Sequence, residues 1–215
     1  MYICYMKPIN KELQEYVECN ILPRYESFDT AHRRDHAEAV IERSMALAAH
    51  YDVESDMVYT TAAYHDTGLV EGRELHHTAS AAIIRRDAQL RRWFSEDQIE
   101  VMAEAAADHR ASSKQPPRTI YGRIVAEADR LIEPQTVIRR TVQYGLSNYA
   151  HLDREAQYSR FREHLLEKYA DGGYLQLWLP ESDNAPRLEE LRRTIRSEEA
   201  MRRAFDEEYN RQNNL

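Results

Sequence analysis

A histidine and an aspartate stand side by side in Tyr64-His65-Asp66-Thr67-Gly68, at the end of the apolar run 57–63. Burying an ionisable pair costs several kcal/mol unless each member is paired or bound to a cation. Either the two satisfy each other and nearby backbone, or they hold a metal. Other donors of the same kind lie on both sides. His36 comes 29 residues earlier (65 − 36), and His76, His109 and Asp129 follow. Imidazole and carboxylate suit iron, manganese, zinc or nickel, and the absence of thiolates argues against a structural zinc site.

The elements that must bring these residues together read as helices. Only 6 of the 215 residues are glycine, strand-like alternation is scarce, and long segments of 3.6-residue period are common. A first helix is expected over 9–24, with Leu13, Val17 and Ile21 on one stripe and a stop near Pro23, followed by a polar link over 24–33. The next spans 34–51, where His36 is in line with Val40, Ser44 and Leu47. A third covers 55–66, and 69–74 reads as a charged loop. Helix four runs from about Leu75 to Arg86, with His76, Ser80 and Ile83 or Ile84 on one face. Ser95 and Gln98 form a capping-box pattern opening a helix that reaches His109. After a loop over 110–117, a helix over 118–132 carries Asp129. Further helices are expected over 135–146 and 153–170, then an alternating, extended segment at 174–179. One last helix follows from Pro186, with Leu188, Leu191, Ile195, Met201 and Phe205 as a stripe that serves as core or as a homodimer seam. Each candidate ligand thus sits on, or at an end of, a different helix or turn. Helical bundles build metal sites by such convergence.

Taken singly, a histidine on an apolar stripe or a carboxylate near a helix end is more often structural than a ligand. The order and local contexts carry more. Asp-His36-Ala-Glu-Ala-Val, Tyr-His65-Asp66-Thr-Gly-Leu and Ala-Glu-Ala-Asp129-Arg-Leu resemble the His…His-Asp…Asp signature of the HD-domain superfamily of metal-dependent phosphohydrolases. The resemblance covers about residues 30–135 and implies an all-α, HD-domain helical bundle with a C-terminal helical extension. Residues 1–135 are read as an N-terminal helix plus this metal-binding core, and 136–215 as a C-terminal helical extension packed on it. Some members carry two further histidines and resemble two-metal enzymes. One of these typically precedes a Gly/Ser-Ala step by four residues, as His76 precedes Ser80-Ala81, with His77 as the substitute. The second resembles His109 in Ala-Asp-His-Arg. The resemblance then implies one or two divalent ions (Fe, Mn, Ni, Zn or Mg). His36, His65 and Asp129 hold the first, His76 and His109 the second, and Asp66 bridges them.

Two divalent ions roughly 3.5–4 Å apart acidify a shared water and neutralise charge on phosphate oxygens. Asp66 would hold the ions and orient that water. Arg110 and Lys114 are the first choices for a phosphate clamp, because they leave the end of a ligand-bearing helix. Protonation of the leaving oxygen falls to His77, His32 or Lys114, with none singled out. The expected activity is a phosphomonoesterase, phosphodiesterase or pyrophosphatase acting on a small phosphorylated compound, a nucleotide first. A di-iron HD-type oxygenase and a non-catalytic helical binding module are the alternatives.

Composition narrows the rest. Lys+Arg is 29 against 37 Asp+Glu, a net charge of −8, which disfavours duplex nucleic acid as a partner. No apolar run approaches the roughly 20 residues of a membrane span. The start of the chain lacks a secretory pattern. Two isolated cysteines, Cys4 and Cys19, fit a reducing compartment, so a cytoplasmic protein is expected.

Overall fold

The helix that ends at the His-Asp pair is buried almost all round. In α3 (Ser55–Tyr64) every residue except Asp56 is buried. A helix apolar on all faces belongs at the centre of a domain. Ala62 and Ala63 keep its last turn thin enough for neighbours to close on it. The computed structural model describes residues 7–28, 33–113 and 115–213, and Cys4, His32 and Lys114 fall outside them.

Two compact units emerge, Met1–Arg130 with Trp178–Ser182, and Leu131–Leu177 with Asp183–Leu215. The first contains α1 (Lys11–Asn20), α2 (Arg34–Ala48), α3, α4 (His76–Arg86), α5 (Glu96–Asp108) and α6 (Ile120–Asp129). On one side of α3, Met57, Ala63 and Tyr64 pack with Leu13, Val17, Tyr25, Ile84, Ile99 and Met102. On the other, Val58 and Ala62 meet Val40, Leu47, Ile124, Val125 and Ala128. Fully burying an aliphatic side chain of this size contributes about 1.5–3 kcal/mol. Leu179 joins the second cluster, and the Trp178 amide donates to the Glu127 carboxylate at 2.7 Å. The capping box is formed: Ser95 and Gln98 exchange side-chain-to-backbone bonds at the start of α5.

The second unit holds α7 (Pro134–Asn148), α8 (Arg154–Tyr169), α9 (Asn184–Ile195) and α10 (Glu198–Asn213). Phe161, Tyr158 and Phe205 form its aromatic centre, the two phenylalanine rings 5.4 Å apart. Among the described residues there is no strand, and no helix is long and apolar enough to cross a membrane.

Several boundaries differ from expectation. The first helix stops at Asn20, and Leu22–Ser27 is a 3-10 helix with Pro23 in its first turn. Part of the supposed polar link is therefore ordered, and Tyr25 within it is fully buried. Residues Thr67–Glu71 are likewise a 3-10 helix rather than open loop. Segment 174–179 pairs with no strand; it is irregular chain that buries Leu175 and Leu179. The last helix is two, because Arg196 and Ser197 interrupt it and Ser197 accepts from the Ala200 amide, as an N-cap does.

Candidate metal centre

The helix ends, more than the helix faces, present the ligands. His65 is the C-cap of α3 and His109 the C-cap of α5. His76 opens α4, and Asp129 is the last residue of α6. His36 alone comes from within a helix, in the first turn of α2. Backbone groups at helix ends lack intrahelical partners. His65 and His109 exploit this, and His76 does the same with a carbonyl of the turn before α4. The Nδ1 of His65 lies 2.7 Å from the Ala62 oxygen, that of His76 2.7 Å from the Arg73 oxygen, and that of His109 2.6 Å from the Ala106 oxygen. A carbonyl only accepts, so each Nδ1 carries the proton and donates it. Each neutral ring then keeps a bare lone pair on Nε2.

Those lone pairs meet. The Nε2 atoms of His76 and His109 are 3.2 Å apart, and those of His36 and His65 are 3.3 Å apart. Two bare nitrogens, as His76 and His109 present, repel at that distance unless a proton or a cation lies between them, and His65 Nε2 likewise needs one from the His36 side. Two nitrogen ligands about 2.1 Å from one cation stand about 3.0–3.4 Å apart, for bond angles from right to tetrahedral. The observed spacings fall in that interval, so the donor set fits a divalent ion.

Asp66 divides its carboxylate between the two pairs. Its Oδ2 lies 3.3 Å from His65 Nε2 and 3.6 Å from His36 Nε2. Its Oδ1 lies 3.3 Å from His109 Nε2 and 3.5 Å from His76 Nε2. Asp129 Oδ1 completes the first set, 3.2 Å from His36 and 3.8 Å from His65. The structure thus gathers His36, His65, Asp66 and Asp129 around one point, and Asp66, His76 and His109 around a second.

The electrostatics agree with a demand for positive charge. Burial opposes ionisation of both carboxylates, yet the surrounding histidines hold Asp66 well below its ordinary range and Asp129 below it too. Burial also pushes His36 down, but Asp129 and Asp66 outweigh it and raise the ring from 6.5 to about 10. His109 is raised by Asp66 against the effect of burial, whereas burial and the neighbouring His109 lower His76. One proton can serve the second pair, but two repel. A measurable consequence follows from His36. Its folded value exceeds its unfolded one, so the stability it contributes is complete below pH 6.5 and is lost as pH climbs towards about 10. Metal-free protein should therefore melt at progressively lower temperature across that window. A bound cation competes with the same proton, so affinity for Mn²⁺ should rise with pH. Melting curves in EDTA and in Mn²⁺ across that range test both; parallel curves would contradict the assignment.

Around the ligands the chain is tightly fixed. The Tyr25 hydroxyl donates to the Ala63 oxygen at 2.9 Å and accepts from the Asp66 amide at 3.2 Å. The Gly68 amide donates to Ser80 Oγ at 2.9 Å, which joins the turn after Asp66 to α4. Tyr25 was hidden in the sequence, because the segment around it has no helical period and its partners lie 38 and 41 residues away.

The remaining candidates lie outside both ligand sets. The His77 ring centre is 5.5 Å from that of His76, and its buried Nδ1 has no hydrogen-bond partner among the described residues. Arg110 is half-buried and donates through Nη1 to the Glu74 oxygen at 3.0 Å. Arg130 turns back to donate to the Ala126 oxygen and lies under Trp178, 5.8 Å from the ring centre, so it serves the end of α6 rather than a substrate.

Comparison with curated proteins and with solved structures finds no similar chain. The family model described as HD domain matches residues 33–133. That stretch contains all of the residues gathered at the two points. Ligand order and convergent geometry agree with this match: residues 33–133 are similar to the HD domain, the helical metal-binding fold of a superfamily of metal-dependent phosphohydrolases.

Proposed function

We propose that the protein is a two-metal phosphohydrolase acting on a small phosphorylated compound, with nucleotides as the first substrates to try. The observation that carries this reading is the division of Asp66, one oxygen towards each imidazole pair. A carboxylate shared in this way suits two cations side by side. When bound, such ions acidify water and offset charge on phosphate oxygens.

The chain supplies the rest. His36, His65 and Asp129 would hold one cation, His76 and His109 the other, and Asp66 both. The Nδ1–H bonds to backbone fix three of the rings in the tautomer that ligation requires. Arg110 is the proposed phosphate clamp. Only one of the five N–H donors of its guanidinium is committed among the described residues. His77, adjacent to a ligand and outside both sets, is the proposed group for proton transfer at the leaving oxygen.

A panel of nucleotides and phosphate esters, run with Mn²⁺, Fe²⁺, Ni²⁺ and Mg²⁺, tests the activity. No phosphate release from any member by metal-loaded protein would reject it. On a substrate that is turned over, Arg110→Ala should raise KM about tenfold, the loss of one charge-assisted hydrogen bond. Metal content should stay at the wild-type level. Unchanged kinetics would remove Arg110 from the site.

A further inference from the structure

We infer that Tyr25 is a positioning residue for the metal centre: its phenol sets the course of the chain at Asp66 before any cation binds. The inference rests on the metal-centre reading above. It starts from how α3 ends. The Ala62 oxygen is taken by the His65 ring, and the next carbonyl, Ala63, receives the Tyr25 hydroxyl. The same phenolic oxygen accepts the Asp66 amide. Ala63 and Asp66 are three residues apart, the spacing of a direct 3-10 hydrogen bond. The phenol is inserted where that bond would close, and it holds the turn open. At Asp66 the backbone has left helical geometry, with φ −110° and ψ 5°. The carboxylate that both imidazole pairs share hangs by one methylene from this held segment.

Tyr25 suits the task. It is wholly buried, and its ring packs edge-on against Phe28 at 5.5 Å, so the hydroxyl has little freedom to wander. It comes from the 3-10 helix before α2, an element independent of α3. Tyr25→Phe keeps the ring and removes both hydrogen bonds together. The Ala63 carbonyl and Asp66 amide are then free to close on each other, which turns the Asp66 side chain away from the imidazoles. Since Asp66 belongs to both ligand sets, both should weaken together.

The test is Mn²⁺ binding by calorimetry to the full chain, with thermal melts in EDTA alongside. Tyr16→Phe is the control, because it also deletes a tyrosine hydrogen bond, to Asp87 at 2.7 Å, and touches no ligand. The inference predicts a Kd for Mn²⁺ at least tenfold weaker at both sites in Tyr25→Phe, and an unchanged Kd in Tyr16→Phe even where its melting temperature falls. A folded Tyr25→Phe variant with wild-type Kd overturns the inference and leaves the metal-centre reading intact. Wild-type protein that takes up no Mn²⁺ overturns both. If Tyr25→Phe does not fold, amide hydrogen exchange in metal-free wild type decides. Protection of the Asp66 amide supports a turn held by the phenol, and exchange at the unprotected rate overturns it.

Discussion

Asp66→Ala is expected to strip both cations and to lower kcat/KM by about a thousandfold or more on any substrate the wild type turns over. The reason is the shared carboxylate. Its Oδ2 faces His36 and His65 while its Oδ1 faces His76 and His109. Removing it leaves the second set with two neutral imidazoles and the first with a single carboxylate. It also deletes the negative charge that would let two dications lie close together. Cation stabilisation of a phosphoryl transition state is worth several kcal/mol, and each 1.36 kcal/mol is a factor of ten, so a loss of about 4 kcal/mol gives the stated effect. His109→Ala should behave differently, since His109 belongs to one set only. It should cost one ion of two. Elemental analysis after dialysis, followed by turnover in added Mn²⁺, separates the cases. Two ions retained per chain in Asp66→Ala would end the assignment of Asp66 as a bridge.

The second large effect is expected at Gly68, a residue that touches no cation. A Cβ there would lie 2.1 Å from the His76 oxygen, 2.4 Å from the Ser80 nitrogen and 2.8 Å from the Ala79 Cβ. Backbone atoms of α4 cannot swing aside as a flexible side chain would. Overpacking of this kind costs typically 1–3 kcal/mol and occasionally more, and contact with main chain belongs at the upper end. For a chain of this size about 3 kcal/mol corresponds to a fall in melting temperature of about 6–12 °C. The relief available is for the start of α4 to move away, and it carries His76 with it. Gly68→Ala should therefore be less stable and short of one ion, with His36, His65 and Asp129 still loaded. A melting temperature and metal content equal to wild type would show that α4 has room to shift. Gly72 is the contrast. Nothing lies within 4 Å of its notional Cβ, but its φ of 92° is a conformation that suits glycine, so alanine there should cost only about 1 kcal/mol and leave the metals alone.

The helical architecture and the residues that converge were legible because both are written in periodicity and order. The stripe Val40, Ser44 and Leu47 is buried as its spacing requires, and His36 one turn earlier is carried to the centre by it. The choice between His76 and His77 was not legible. Neighbouring residues differ by about 100° around a helix, and only the approach of α5 decides which ring meets His109. His65, His109 and Asp129 stand at helix ends, one of the two placements that the order of helices and turns allows for each ligand. The 3-10 segments escaped for a different reason. They are too short to show a period, and Tyr25 is fixed by partners distant in sequence. The break at Arg196 and Ser197 did leave a mark in the hydrophobic pattern: Ile195 and Met201 are six residues apart, and the positions that would continue the stripe, Glu198 and Glu199, are charged.

The tethering of three imidazoles to the carbonyl three residues before each has a bearing on how such a protein can change. Many ligand rings rely on a neighbouring acid or amide, and drift at that neighbour erodes the site. His65, His76 and His109 are leashed to main chain, which no point substitution deletes. The surrounding side chains are thus free to diversify and to admit new substrates while the three rings keep their protons and their aim.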